Sequence, residues 1–199
     1  MTQATAVDTR TVLISAAFAC FRTQGLRKTT IVDIARAAEV SRSTFYEYFR
    51  DKETILEACA EAASQSFYRK LAKAIDRGGT TLEDKLVRAG VFVTQARRMV
   101  EHESYFDEEE VDLMLTKNAA TFLQECGEFF APYFLAARLT GEVRSDLGIH
   151  SATEWFARML FSLFTTPSPN LDMDDDGVVA DFVRAYVVRG FVDDRIKRR

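Results

Sequence analysis

Apolar residues recur every three to four positions along almost the whole chain, the spacing of helices that each bury one face. The first stripe is Ile14, Ala17, Phe18 and Phe21, and Gly25 marks its stop, because glycine takes a left-handed cap at least cost. Thr30 followed by Asp33 has the spacing of a capping box, which predicts a second helix with Ile31, Ile34, Ala35 and Ala38 on its inner face. A tight turn, Glu39-Val40-Ser41, comes next. Ser41 then caps a third helix only two turns long, with Phe45 and Phe49 pointing inward.

Asp51 caps a long fourth helix, from about Lys52 to Asp76, that ends near Gly78-Gly79. Thr81 and Asp84 cap a fifth, which ends near Val100. The acidic stretch Glu101 to Asp112 is predicted to be irregular or a single turn. A long helix then covers about Val111 to Leu139, with a kink or break expected at Pro132, which lacks an amide proton and crowds the preceding turn. Gly141-Glu142-Val143-Arg144 is a connector. Ser151 and Glu154 cap the next helix, to about Phe164, and a polar loop from Thr166 to Asp176 precedes a last helix from about Asp175 to Gly190. Only nine glycines and three prolines interrupt 199 residues, so the expected fold is all-α with about nine helices. A three-helix head, residues 1–52, stands before a larger helical body, residues 53–199.

Charge divides along the same line. The formal net charge is −4. Residues 1–52 carry eight basic side chains against five acidic ones, so the head is +3 and the remainder −7. A basic end on an acidic body presents one face to phosphate and repels it with the other. Two short helices joined by a three-residue turn fit a helix-turn-helix unit. The second can enter a major groove only if its outer face is small, polar or hydroxyl-bearing. That face offers Arg42, Ser43, Thr44, Tyr46 and Tyr48. Arg42 can reach a guanine edge, and the hydroxyls can meet phosphates or bases.

These residues also carry a resemblance. Leu13-Ile14, Ala16-Ala17, Phe21 and Gly25 lead to Thr29-Thr30-Ile31, Asp33-Ile34-Ala35 and Ala37-Ala38. Val40-Ser41, Thr44-Phe45-Tyr46, Tyr48-Phe49 and Lys52-Glu53 follow, and the whole closely resembles the DNA-binding head of the TetR family of bacterial regulators. The likeness covers about forty residues; beyond them it is confined to helix count and the Gly-Glu-Val-Arg connector. It implies a DNA-binding set of Thr30, Ser41, Arg42, Ser43, Thr44, Tyr46, Tyr48 and Lys52, with Thr30 and Lys52 on phosphate. The family usually has glycine where this chain has Glu39. A left-handed residue there costs a non-glycine side chain ~1 kcal/mol, so either the turn differs or the strain is carried.

The body is rich in aromatic residues. An apolar cavity near Pro132 is expected, walled by Phe92, Phe122, Phe129, Phe130, Phe134 and Trp155, and the resemblance implies that this region encloses an inducer. Apolar stripes on the last two helices predict a twofold dimer seam: Phe156, Met159, Leu160, Leu163, Val178, Phe182 and Tyr186. The acidic run from Glu101 to Asp112 includes His102 but reads as a solvated face, since carboxylates in a row do not converge on a metal. Cys20, Cys59 and Cys126 read as small buried hydrophobes.

No nucleophile–base pairing motif, H-E-x-x-H, G-x-S-x-G or glycine-rich phosphate loop occurs, so neither enzyme nor cofactor is expected. No signal sequence or apolar run of ~20 residues is present, which predicts a cytoplasmic protein away from membranes. The expected function is a transcriptional regulator, a repressor that binds a palindromic operator on double-stranded DNA as a homodimer and is released by a small apolar ligand. The alternatives are an activator or a helical protein-interaction module.

Overall fold

The structure, a computed structural model, describes residues 8–77, 79–103 and 108–192, with the side chains of residues 100–103 and 108–118 outside that description. The acidic run from Glu101 to Asp112, with Tyr105, Phe106 and Met114 nearby, and the closing basic residues therefore lie outside it wholly or in their side chains. Eight α-helices are present among the described residues: α1 Thr9–Lys28, α2 Ile31–Ala37, α3 Arg42–Tyr48, α4 Lys52–Asp76, α5 Leu82–Glu103, α6 Glu108–Leu139, α7 Ile149–Thr165 and α8 Asp176–Phe182. None is long and apolar enough to cross a membrane. The chain divides into two compact units, Met1–Phe67 with Ser104–Asp112, and Tyr68–Glu103 with Leu113–Arg199.

In the first unit, α1 to α3 and the start of α4 enclose a core of Leu13, Ala17, Phe21, Ile34, Phe45 and Ile55, each almost wholly buried. Gly25 breaks α1 as expected: at φ 79° it leaves the helix, and one further turn runs to Lys28. The Thr29 amide and hydroxyl both return to the Gly25 carbonyl, at 3.3 and 2.8 Å, which satisfies the broken end.

In the second unit, α7, α8 and the turns after α8 all pack on α5. Gly90 makes the closest approach possible: a Cβ there would lie 2.6 Å from the Val183 methyl. After Phe182 the last helix widens into one π turn, Val183–Val187, in which the Val188 amide reaches back five residues to the Val183 carbonyl. A 3₁₀ turn, Val188–Gly190, ends it. Val183, Val187 and Val188 all face inward.

The connector is more than a link. Glu142 caps α5, accepting from the Leu82 amide at 2.8 Å, and also accepts from the Thr140 hydroxyl at 3.0 Å. Val143 and Val192 form an antiparallel bridge, and Arg144 donates from its amide to the Phe191 carbonyl and from its guanidinium to the Gly190 carbonyl. The end of the described chain is thereby held against the segment between α6 and α7.

Two expectations need correction. Helix α6 continues through Pro132 rather than ending there. Helix α7 starts at Ile149 with Gly148 as its cap and no capping side chain, so Ser151 is already inside it. Glu154 has another partner, Arg158 one turn on, at 2.6 Å.

Candidate nucleic-acid interface

The site begins with how α2 and α3 are started. The Thr30 hydroxyl accepts from the Asp33 amide at 3.2 Å, while Asp33 accepts from the Thr30 amide at 3.0 Å and from its hydroxyl at 2.6 Å. Those hydrogen bonds from Thr30, with the Arg36 guanidinium nearby, hold the Asp33 carboxyl below its ordinary range. The negative charge sits in the first turn, where the helix dipole favours it. Ser41 does the same for α3, accepting from the Thr44 amide at 3.0 Å, and its hydroxyl lies 2.7 Å from that of Ser43.

Between these helices Glu39 adopts φ 56°. The turn is therefore left-handed at this position, and a non-glycine residue carries the strain. The Glu39 amide bonds the Arg36 carbonyl at 3.1 Å and the Val40 amide bonds the Ala35 carbonyl at 3.0 Å, which fixes the turn from both sides.

Phe45 and Phe49 are 0% and 4% exposed and set the rotational phase of α3. The opposite face follows from 3.6-residue periodicity: Ser41, Arg42, Ser43, Tyr46 and Tyr48 are all exposed, and Thr44 is half-buried. Arg42 leans on Tyr46, its guanidinium carbon 5.7 Å from the ring centre and Nη2 3.4 Å from the phenol oxygen. A planar donor fork held over an aromatic face loses less freedom when it meets a base edge. Thr30 is exposed at the start of α2.

Lys52 differs from the rest. Its ammonium donates to the Leu26 carbonyl at 2.6 Å, with the Arg27 carbonyl at 3.5 Å, so it closes the end of α1. Sequence reasoning missed Arg10, whose guanidinium lies 5.5 Å from the Phe49 ring centre, and Glu47, which is exposed on α3. Both are visible in the sequence as charges beside an aromatic pair, but only the fold shows which way they face.

The body sorts its aromatic residues differently from expectation. Phe129, Phe130 and Phe134 are brought together: Phe130 packs edge-on against Phe129 at 5.0 Å and Phe156 at 4.8 Å, and Phe134 against Phe191 at 5.2 Å. Phe122 stands apart, against Phe161 at 5.4 Å, and Phe92 is half-buried on α5. Trp155, expected as a cavity wall, is 49% exposed and points outward. Phe156, Leu160 and Leu163, expected in a dimer seam, are buried within the chain itself, so they belong to its core. Met159 and Phe182 are half-buried, and Val178 and Tyr186 are exposed. An open cleft of about 290 Å³ lies elsewhere, between Thr94, Arg97 and Arg98 of α5 and the loop at Pro167 to Asp174.

The three thiols are buried. Burial pushes Cys59 up to about 11 and Cys126 to about 12, and raises Cys20 as well, so all stay protonated at neutral pH.

Residues 13–59, which hold α2, α3 and the capped end of α1, match the family described as bacterial regulatory proteins, tetR family. Over 69 residues the chain is 36% identical to the HTH-type transcriptional regulator HbdR of Aromatoleum sp. (strain CIB); the match spans 35% of this chain and 30% of that protein. Solved structures share the fold across nearly the whole chain. Salmonella enterica GusR is 21% identical with a TM-score of 0.65, covering 94% of this chain and 97% of its own. SmeT, the repressor of the Stenotrophomonas maltophilia multidrug efflux pump SmeDEF, is 19% identical with a TM-score of 0.60, covering 94% and 92%. SmeT has also been solved as a complex with triclosan.

Proposed function

The head of this chain is a DNA-binding domain of the TetR family of bacterial regulators, and from that premise we propose that the protein is a ligand-responsive repressor that binds a palindromic operator as a homodimer. The observation that carries the reading is the exposed face of α3. Arg42, Ser43, Tyr46 and Tyr48 are presented together by a helix whose other side is locked into the core by Phe45 and Phe49. Thr30 at the start of α2 supplies a phosphate contact beside it, and Lys52 adds a cation whose remaining N–H can face phosphate.

Two copies join through the outer sides of α7 and α8, where Trp155, Val178 and Tyr186 are exposed and Met159 and Phe182 half-exposed. Paired across a twofold axis, two helices from each copy form a four-helix bundle that removes these side chains from water. The operator then has two half-sites, read by recognition helices about 34 Å apart.

The ligand is a small apolar molecule held among Phe129, Phe130 and Phe134, whose rings would have to part to admit it. The triclosan complex of SmeT supports a ligand of this kind. Helix α4 is continuous from the head into the second unit, so a tilt imposed there changes the spacing of the recognition helices. Lowering operator affinity a hundredfold requires about 2.7 kcal/mol of coupling between the two sites.

The test is binding of the full-length chain to duplex DNA selected from a random pool, over a salt series. A steep fall of affinity with salt, on a site with twofold symmetry, is the expected result. Ligand affinity is then measured with and without the selected duplex. Equal values would make any bound molecule a passenger rather than an inducer.

A further inference from the structure

Helix α3 carries one acidic residue, Glu47, and it lies on the outward face. It is four positions after Ser43, on the same side of the helix, between Tyr46 and Tyr48, which are 45% and 42% exposed. Because Phe45 and Phe49 fix the phase of the helix, this carboxylate faces wherever the Arg42–Tyr46 pair faces, one column over.

Other carboxylates nearby are spent on the fold. Asp33 closes the capping box with Thr30 and pairs with Arg36, 3.5 Å away. Asp51 accepts from the Thr54 amide at 2.9 Å and pairs with Arg50 at 2.9 Å. Glu47 makes no hydrogen bond or ion pair of this kind among the described residues. Its position is not explained by capping, by pairing or by packing.

On a surface that approaches phosphate, such a charge opposes binding to every sequence unless a donor in the groove meets it. The major groove offers two exocyclic amino groups. That of adenine lies beside the N7 acceptor, whose lone pair repels the second carboxylate oxygen. That of cytosine has the C5–H on the same base beside it. We propose that Glu47 is a specificity-determining residue that accepts a hydrogen bond from the 4-amino group of a cytosine in each half-site. At any other base the carboxylate is desolvated without a partner, so it discriminates by penalising wrong sequences more than by rewarding the right one.

This inference rests on the DNA-binding reading, and one experiment separates the two. Sites are selected from a random duplex pool by the full-length wild type, Glu47→Ala and Glu47→Gln, and affinities are measured over a salt series. For the wild type, one position per half-site is fixed as cytosine, with discrimination of roughly 5- to 100-fold, the range for a good base contact. Glu47→Ala loses preference at that position alone and binds the other duplexes more tightly. Glu47→Gln moves the preference toward adenine, which the amide matches at N6 and N7. If Glu47→Ala selects the same bases at every position and merely binds all duplexes more tightly, Glu47 is only a repulsive charge and the inference falls. If the wild type selects no duplex in a salt-dependent way, the DNA-binding reading falls with it.

Discussion

The ammonium of Lys52, the first residue of α4, donates to the Leu26 carbonyl at 2.6 Å, although the two residues are 26 positions apart in the chain. A cation at the carbonyl end of a helix complements its dipole, and a charged donor makes the hydrogen bond stronger than a neutral one. This bond ties the start of α4 to the end of α1 inside one unit. Lys52→Ala is therefore expected to lower the stability of the DNA-free protein by ~1–2 kcal/mol. Urea unfolding of the variant without DNA checks this. A lysine that served phosphate alone would leave the midpoint unmoved.

The left-handed Glu39 offers a gain. Glu39→Gly is expected to raise stability by up to about 1 kcal/mol, since glycine takes this backbone conformation without a Cβ clash. Glu39→Ala keeps the Cβ and should gain nothing. A comparison of the two midpoints isolates backbone strain from loss of the side chain, and equal shifts would show that φ 56° costs nothing here.

Gly90 is fixed by space rather than by dihedral angle. The Cβ of Gly90→Ala would meet a Val183 methyl at 2.6 Å, and Val183 is fully buried. Overpacking of that kind costs typically 1–3 kcal/mol. Adding Val183→Ala should recover much of the loss, a non-additive pair measurable by a double-mutant cycle. Independent effects would place the strain elsewhere.

Asp176 makes stability pH-dependent. Its carboxyl accepts from Arg98 at 2.7 Å and Gln95 at 2.6 Å, and the Arg98 hydrogen bond foremost holds its pKa below the ordinary carboxylate value. A depressed folded-state pKa contributes stability that is present above the unfolded value, near 4, and is lost as pH falls through the folded one. Asp176→Asn should therefore melt lower than the wild type at pH 7, with the gap closing as the solution is acidified below about pH 4. A gap that persists unchanged at low pH would mean that the charge is not what Arg98 recognises.

The head was legible because its signals are local. Thr30 with Asp33, Ser41 before Arg42, and Phe45 with Phe49 are spacings within one or two turns, and each sits where periodicity put it. Helix α7 was less legible for a matching reason. Trp155, Phe156, Met159, Leu160 and Leu163 are apolar nearly all round, so spacing alone does not say which side is core. Packing on α5 decides it, burying Phe156 and Leu160 and leaving Trp155 outside. The Ser151–Glu154 spacing misled because Glu154 serves Arg158 instead. The approach of Gly90 to Val183 joins positions 93 apart, and no pattern within either helix announces it.

The wide turn at Val183–Val187 bears on how this chain tolerates changes of length. Each residue of an α-helix advances the chain by about 100°, so a deletion within that turn would tighten it and rotate everything downstream by that angle. Phe191 would leave the rings of Phe134 and Phe156, and its carbonyl would leave the Arg144 amide, now 3.1 Å away. Five residues are thus counted out by a backbone bond rather than by their side chains. Conservative replacements inside the segment are tolerable, whereas losing one position from it is not.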